Sequence, residues 1–173
     1  MISRLPLFLL TLICSQASLG CALHDSRSEA IYRLNLTDAE CRTIEYIDGR
    51  IISIRLGYPL AKAVDLSWKG EVIELQLYYV SDHYELGALI NDETFLRHDK
   101  EYDVYRVFNE EKYVFNGSDS ARVIVSKVGH TWFAQRMQKG VLIIYQYNEK
   151  HNKLKEMDEF IRHFVDSILA RRD

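Results

Sequence analysis

The chain has 173 residues, 47% of them hydrophobic and 27% charged, with a formal net charge of −3. These proportions exclude collagen-like, intrinsically disordered and polytopic membrane chains, and they leave an ordinary globular protein of one domain. Carboxylates repel phosphates, so the acidic balance disfavours nucleic acid as a partner.

At the amino terminus, Arg4 and the terminal amine precede the apolar run LPLFLLTLIC and the small-residue stretch SQASLG, the three-part pattern of a secretory leader. A membrane-crossing helix needs about 20 consecutive apolar residues, and this run is shorter. Residues 1–20 are therefore expected to be a signal peptide. Two cleavage patterns compete. Gly20-Cys21 resembles the end of a bacterial lipoprotein signal, although Ser18 stands where leucine is expected and Leu19 lies one place too close to the cysteine. Ser15 and Ala17 instead suit an ordinary signal peptidase cutting after Ala17.

Cys14 leaves with the leader, so Cys21 and Cys41 remain, and three fates stand open: a disulfide between them, a lipid anchor on Cys21, or two free thiols. A bridge would close a loop of about 20 residues and stabilise the fold by about 3 kcal/mol on the chain-entropy account. Residues 21–42 are expected as an N-terminal extension and 43–173 as a single domain. The sequons Asn35-Leu-Thr37 and Asn116-Gly-Ser118 are no more than chance supplies. Few cysteines and sparse proline fit a bacterial envelope better than a small extracellular module.

From Thr43 the apolar residues alternate. Asp48-Gly49 between two β-rich runs predicts a hairpin, because both residue types accept positive φ. Val64, Leu66 and Trp68 alternate next, and Lys69-Gly70 turns the chain into EVIELQLYYV, where Ile73, Leu75, Leu77 and Tyr79 share one face. Between Ser81 and Glu101 the alternation is lost, which leaves a loop or short helix. Strand pattern returns at DVYRVF and KYVF, a turn follows at NGSDS, and three further strands are expected over 121–128, 131–137 and 141–147.

In the closing stretch, Leu154, Met157, Ile161, Phe164 and Ile168 recur at spacings of three and four, the stripe of a helix with one buried face. Asn152 is the expected cap, and Arg171 and Arg172 are placed to complement the helix dipole. The expected fold is α+β, an antiparallel sheet of six to eight strands with a C-terminal helix packed on it.

The order of these elements, with ISIRLGYPL, GHTWFAQRM, VLIIYQYN and a closing helix ending in VDSIL, resembles the Mog1/PsbP-like architecture of small exported bacterial envelope lipoproteins and periplasmic immunity proteins. That resemblance implies a binding or accessory module and carries no functional residue with it.

Signatures of chemistry are missing: no phosphate-cradling loop, dinucleotide fingerprint, nucleophile elbow or paired-histidine metal helix occurs. A thiol nucleophile would need Cys41 beside one of His83, His98, His130, His151 or His163. Asp82-His83, Asp92-Glu93 and His98-Asp99 supply metal-ligating residue types without zinc-finger or EF-hand spacing. No catalytic residue, metal or cofactor is expected, and His163 reads as an ordinary boundary histidine.

Charge says more than the histidines do. Asp82, Glu85, Asp92, Glu93, Asp99, Glu101, Asp103, Glu110 and Glu111 lie within 81–111, against Arg97, Lys100 and Arg106 alone among Lys and Arg. The neighbourhood also holds Tyr78, Tyr79, Tyr84, Tyr102, Tyr105 and Tyr113, and tyrosine gives large contact area with a polar tip. Tyr78, Asp82, Tyr84, Glu85, Asp92, Glu93, Asp99, Glu101, Asp103 and Tyr105 are thus the expected contact residues for a basic protein partner. The sequence-level expectation is an exported bacterial protein that neutralises a partner in the periplasm as an immunity protein does. The rival expectation is an envelope lipoprotein tethered through Cys21 that assists a larger assembly, with no other membrane contact.

Overall fold

The computed structural model describes residues 20–26, 31–80, 83–88 and 90–169. Residues 1–19 of the expected leader, Asp82, Arg171 and Arg172 lie outside these residues. In chain order the elements are β1 (Cys21–His24), β2 (Ile31–Leu34), α1 (Asp38–Cys41), β3 (Glu45–Ile47), β4 (Ile51–Tyr58), β5 (Lys62–Ala63) and β6 (Glu71–Tyr79). A short 3-10 turn (Asp92–Thr94) leads into β7 (Phe95–Asp99), β8 (Tyr102–Val107), β9 (Glu110–Asn116), β10 (Arg122–Val128), β11 (Thr131–Gln138), β12 (Val141–Asn148) and α2 (Leu154–Ile168).

The α+β class holds, with more strands than expected. Ten strands form one antiparallel sheet in the order β3-β4-β6-β12-β11-β10-β9-β8-β7, with β5 paired to β4, and β1 and β2 make a separate hairpin. The surplus over six to eight comes from short or edge strands. β3 and β5 have three and two residues, and every residue of β7 is exposed, so none of them shows the alternation that marks a half-buried strand.

Asp48 and Gly49 turn the β3–β4 hairpin at φ 51° and 67°, as their chemistry requires. The strand expected through Val64, Leu66 and Trp68 does not form. Asp65 accepts from the Ser67 amide at 2.9 Å and the Ser67 hydroxyl at 2.6 Å, and this local turn takes the backbone out of the ladder.

Strand parity sends one row, from Ile52 through Leu77, Ile143, Arg136 and Val123 to Phe115, towards the helix. α2 meets it with Leu154, Met157, Ile161, Phe164, Val165 and Ile168, all buried. Full burial of one such side chain contributes about 1.5–3 kcal/mol. Asn152 does not cap this helix: Lys153 occupies the cap position and makes no side-chain cap bond. Burial of Leu154 at the first turn fixes the helix start instead.

The stretch 21–42, set apart in sequence as an extension, adds Tyr32, Leu34 and Leu36 to the same core. The Tyr32 hydroxyl accepts from the Tyr79 amide at 2.5 Å and donates to the Arg50 carbonyl at 3.2 Å, and the Asn35 amide donates to the Ile168 carbonyl at 2.7 Å. Cys21 and Cys41 are joined in a disulfide with Cα atoms 5.8 Å apart. Beneath α2, fully buried Arg136 donates to Asp158 at 2.7 Å and also to Asp119, while the Tyr145 hydroxyl donates to Asp158 at 2.9 Å. Burial pushes the Asp158 carboxyl above its usual range despite the guanidinium beside it.

Candidate partner-binding face

The sheet face turned away from α2 is built by the same alternation. Its central row runs from Ser53 through Gln76, Ile144, Gln135 and Ile124 to Asp103 and His98. Beside it, Gln146 and Phe133 lead to Tyr105 and Phe95, and on the other side Tyr78, Leu142 and Met137 line up. Phe133, Gln135, Met137, Ile144, Gln146 and Tyr78 are half-buried. That degree of exposure suits a surface able to lose water to a partner.

Among the described residues, chain lies over this face at its two flanks. At one flank Gly87, at φ +74°, brings the 83–88 segment against β10, where an added Cβ would stand 2.4 Å from the Ile124 Cδ1. At the other, the 64–70 loop packs Val64 and Trp68 over Gly57 of β4, where an added Cβ would stand 3.0 Å from the Val64 Cγ1 and 3.5 Å from the Trp68 Cε2. Between the flanks lies a trough of rings, amides and aliphatic groups.

The structure gathers some of the expected contact residues and separates others. Tyr78 lies in the trough and donates to Gln76 at 2.8 Å, and burial raises its phenol. Tyr105 stands on the same face with its ring 5.5 Å from Phe95. Asp103 is there too, 2.6 Å from the His98 Nδ1. Tyr84 and Glu85 are exposed on the 83–88 flank. Asp92 and Glu93 project from the 3-10 turn that Asn91 caps. Asp99, paired with Tyr102, belongs to the helix side of the sheet, as does Glu101, 3.9 Å from Lys155 on α2. Asp82 lies outside the described residues.

The acidic segment is accordingly not one acidic surface. Arg97 grips Glu111 through two bonds of 3.0 and 3.1 Å and holds its carboxyl below the usual range, and Lys112 does the same to Glu110 at 2.6 Å. Among the described residues, Glu85, Asp92 and Glu93 on the flank and Asp99 on the helix side have no cation within ion-pair distance, and Asp103 has only His98. The tyrosines divide by parity as well. Tyr79 packs on Tyr32 at 4.0 Å, and Tyr102 and Tyr113 pack with Phe115 and Trp132 on the helix side.

Sequence reasoning missed Phe95, Phe133, Met137 and Gln135. The signal for three of them lies in TWFAQRMQ, where Phe133, Gln135 and Met137 form a second alternate set opposite Trp132, Ala134 and Arg136. Cys41 is in the disulfide and so offers no thiol for nucleophilic chemistry. Of the metal-ligating types in the middle segment, Asp82 lies outside the described residues, and among the described residues no three His, Cys, Asp or Glu side chains are grouped as a metal ion requires. No helix among the described residues is long and apolar enough to cross a membrane. Comparison with family models, with curated proteins and with solved structures finds no match for this chain.

Proposed function

We propose that this chain is an exported bacterial protein that binds and neutralises a protein partner by occlusion, as a periplasmic immunity protein does, without chemistry of its own. The observation that carries this reading is the half-buried trough of Tyr78, Phe133, Met137 and Ile144 on the face away from α2. Aromatic and Met side chains are enriched where proteins meet, and amides such as Gln76, Gln135 and Gln146 satisfy hydrogen bonds at such contacts. The uncompensated carboxylates of Glu85, Asp92 and Glu93 on the flank favour a basic partner and speed its approach. The Cys21–Cys41 disulfide supports an oxidising compartment.

The test is a competition between sibling strains. Cells lacking this protein are expected to be killed by their unmodified siblings and rescued by the wild-type chain but not by Phe133→Glu. Equal survival of the deletion strain overturns the immunity reading. The rival role, a lipoprotein anchored through Cys21, requires a thioether on the sulfur that the disulfide already uses. Mass spectrometry of the mature amino terminus decides between them, since a diacylglyceryl group on Cys21 would establish the anchor.

A further inference from the structure

Beside the trough, a groove runs between the 39–45 stretch and the 63–70 loop. It has two lobes of about 620 and 760 Å³ that share Thr43, Asp65 and Ser67 at their junction. The lobes differ in chemistry. One is lined by Arg42 and Arg55 together with Glu45 and Glu74. The other is lined by Ala63, Val64 and Trp68 together with Glu40 and Lys69. Volumes of this size are those of small-molecule sites.

The charges of the first lobe are incompletely matched. Arg55 reaches Glu74 only through Nε, at 3.4 Å, and that buried nitrogen makes no hydrogen bond. Arg42 is exposed on the wall and has no side-chain partner among the described residues. Burial holds the Glu74 carboxyl above its usual range, with Glu45 adding to the effect against the pull of Arg55. The third carboxylate, Asp65, is already engaged by Ser67 and serves to shape the loop. Two guanidinium groups and two carboxylates therefore line one end of a groove whose other end offers the apolar surface of Ala63, Val64 and Trp68 beside Lys69 and Glu40, the latter already engaged by Thr37.

We propose that this groove binds a short zwitterionic peptide, its carboxylate on Arg42 and Arg55, its ammonium on Glu45 and Glu74, and an apolar side chain against Val64 and Trp68. A ligand with one charge of each sign meets both sets of groups at once, and neither a simple anion nor a simple cation does. This goes beyond the occlusion reading and does not depend on it. Phe133 of the trough is separated from the Arg55–Glu74 pair by Gln146 of β12.

The test is an NMR titration of the disulfide-bonded protein with L-leucyl-L-phenylalanine and with its N-acetylated and C-amidated forms. Saturable shifts are expected at Ser53, Ser67 and the Trp68 indole, with at least about tenfold weaker binding when either end is capped. Arg42→Met, a change on the exposed wall, is expected to weaken the free dipeptide at least about fivefold while leaving the unfolding midpoint in place. No saturable shift at millimolar peptide overturns the proposal, and so does equal binding of the capped forms or of Arg42→Met. None of these outcomes bears on survival in the sibling competition, so the two readings fail separately.

Discussion

Arg136 sits with no solvent exposure between the sheet and α2, held by Asp158 and Asp119. Removing one member of a buried ion pair leaves the other charged in a poorly solvating place, at a cost of about 3–5 kcal/mol. Arg136→Met is expected to lower stability by about that amount in urea unfolding, and Arg136→Met with Asp158→Leu to recover most of the loss. If the single variant unfolds like the wild type, the network is ornamental. Parity alone places Arg136 in line with Ala134, facing inward, but which carboxylates meet it there is not legible in the chain. Asp119 lies in a turn and Asp158 on a helix, 17 and 22 residues away. The same holds for the expected contact residues. Tyr78 and Tyr79 are neighbours with opposite fates because one extended residue reverses direction.

At the scale of elements, the β1–β2 hairpin and α1 are joined to the rest by Tyr32, Leu34, the Leu34–Leu169 bridge and the Cys21–Cys41 disulfide. Reduction, or Cys41→Ser, is expected to lower stability by about 3 kcal/mol, seen as a lower urea midpoint with reductant than without. An unchanged midpoint would show that the hairpin packs equally well unlinked. Two cysteines left three fates open in the sequence, and in the structure β1 lies alongside α1 with Cys21 and Cys41 bridged. Helix α2 was the most legible element, since its stripe is set by residues three and four apart. The 64–70 loop was the least, because a side chain of Asp65 outcompetes the ladder that the alternation of Val64, Leu66 and Trp68 advertises.

Across the whole molecule, the sheet separates a core face packed on α2 from a second, half-buried face, and adjacent residues test that division. Ala134→Arg places a charge in the core and is expected to unfold the protein, whereas Gln135→Arg on the trough is expected to change stability by no more than about 0.5 kcal/mol. Thermal unfolding of the two variants checks this, and comparable losses would mean that the trough is not a free face. The sequence by itself determined the α+β class, the central strands and the helix, because those follow from periodicities of two and of 3.6 residues within short windows. Only the tertiary structure decided that β6 inserts between β4 and β12, that the acidic segment is partly neutralised, and that rings from distant strands share one face. Register and charge pairing join residues far apart in the chain, and no local pattern encodes which of them will meet.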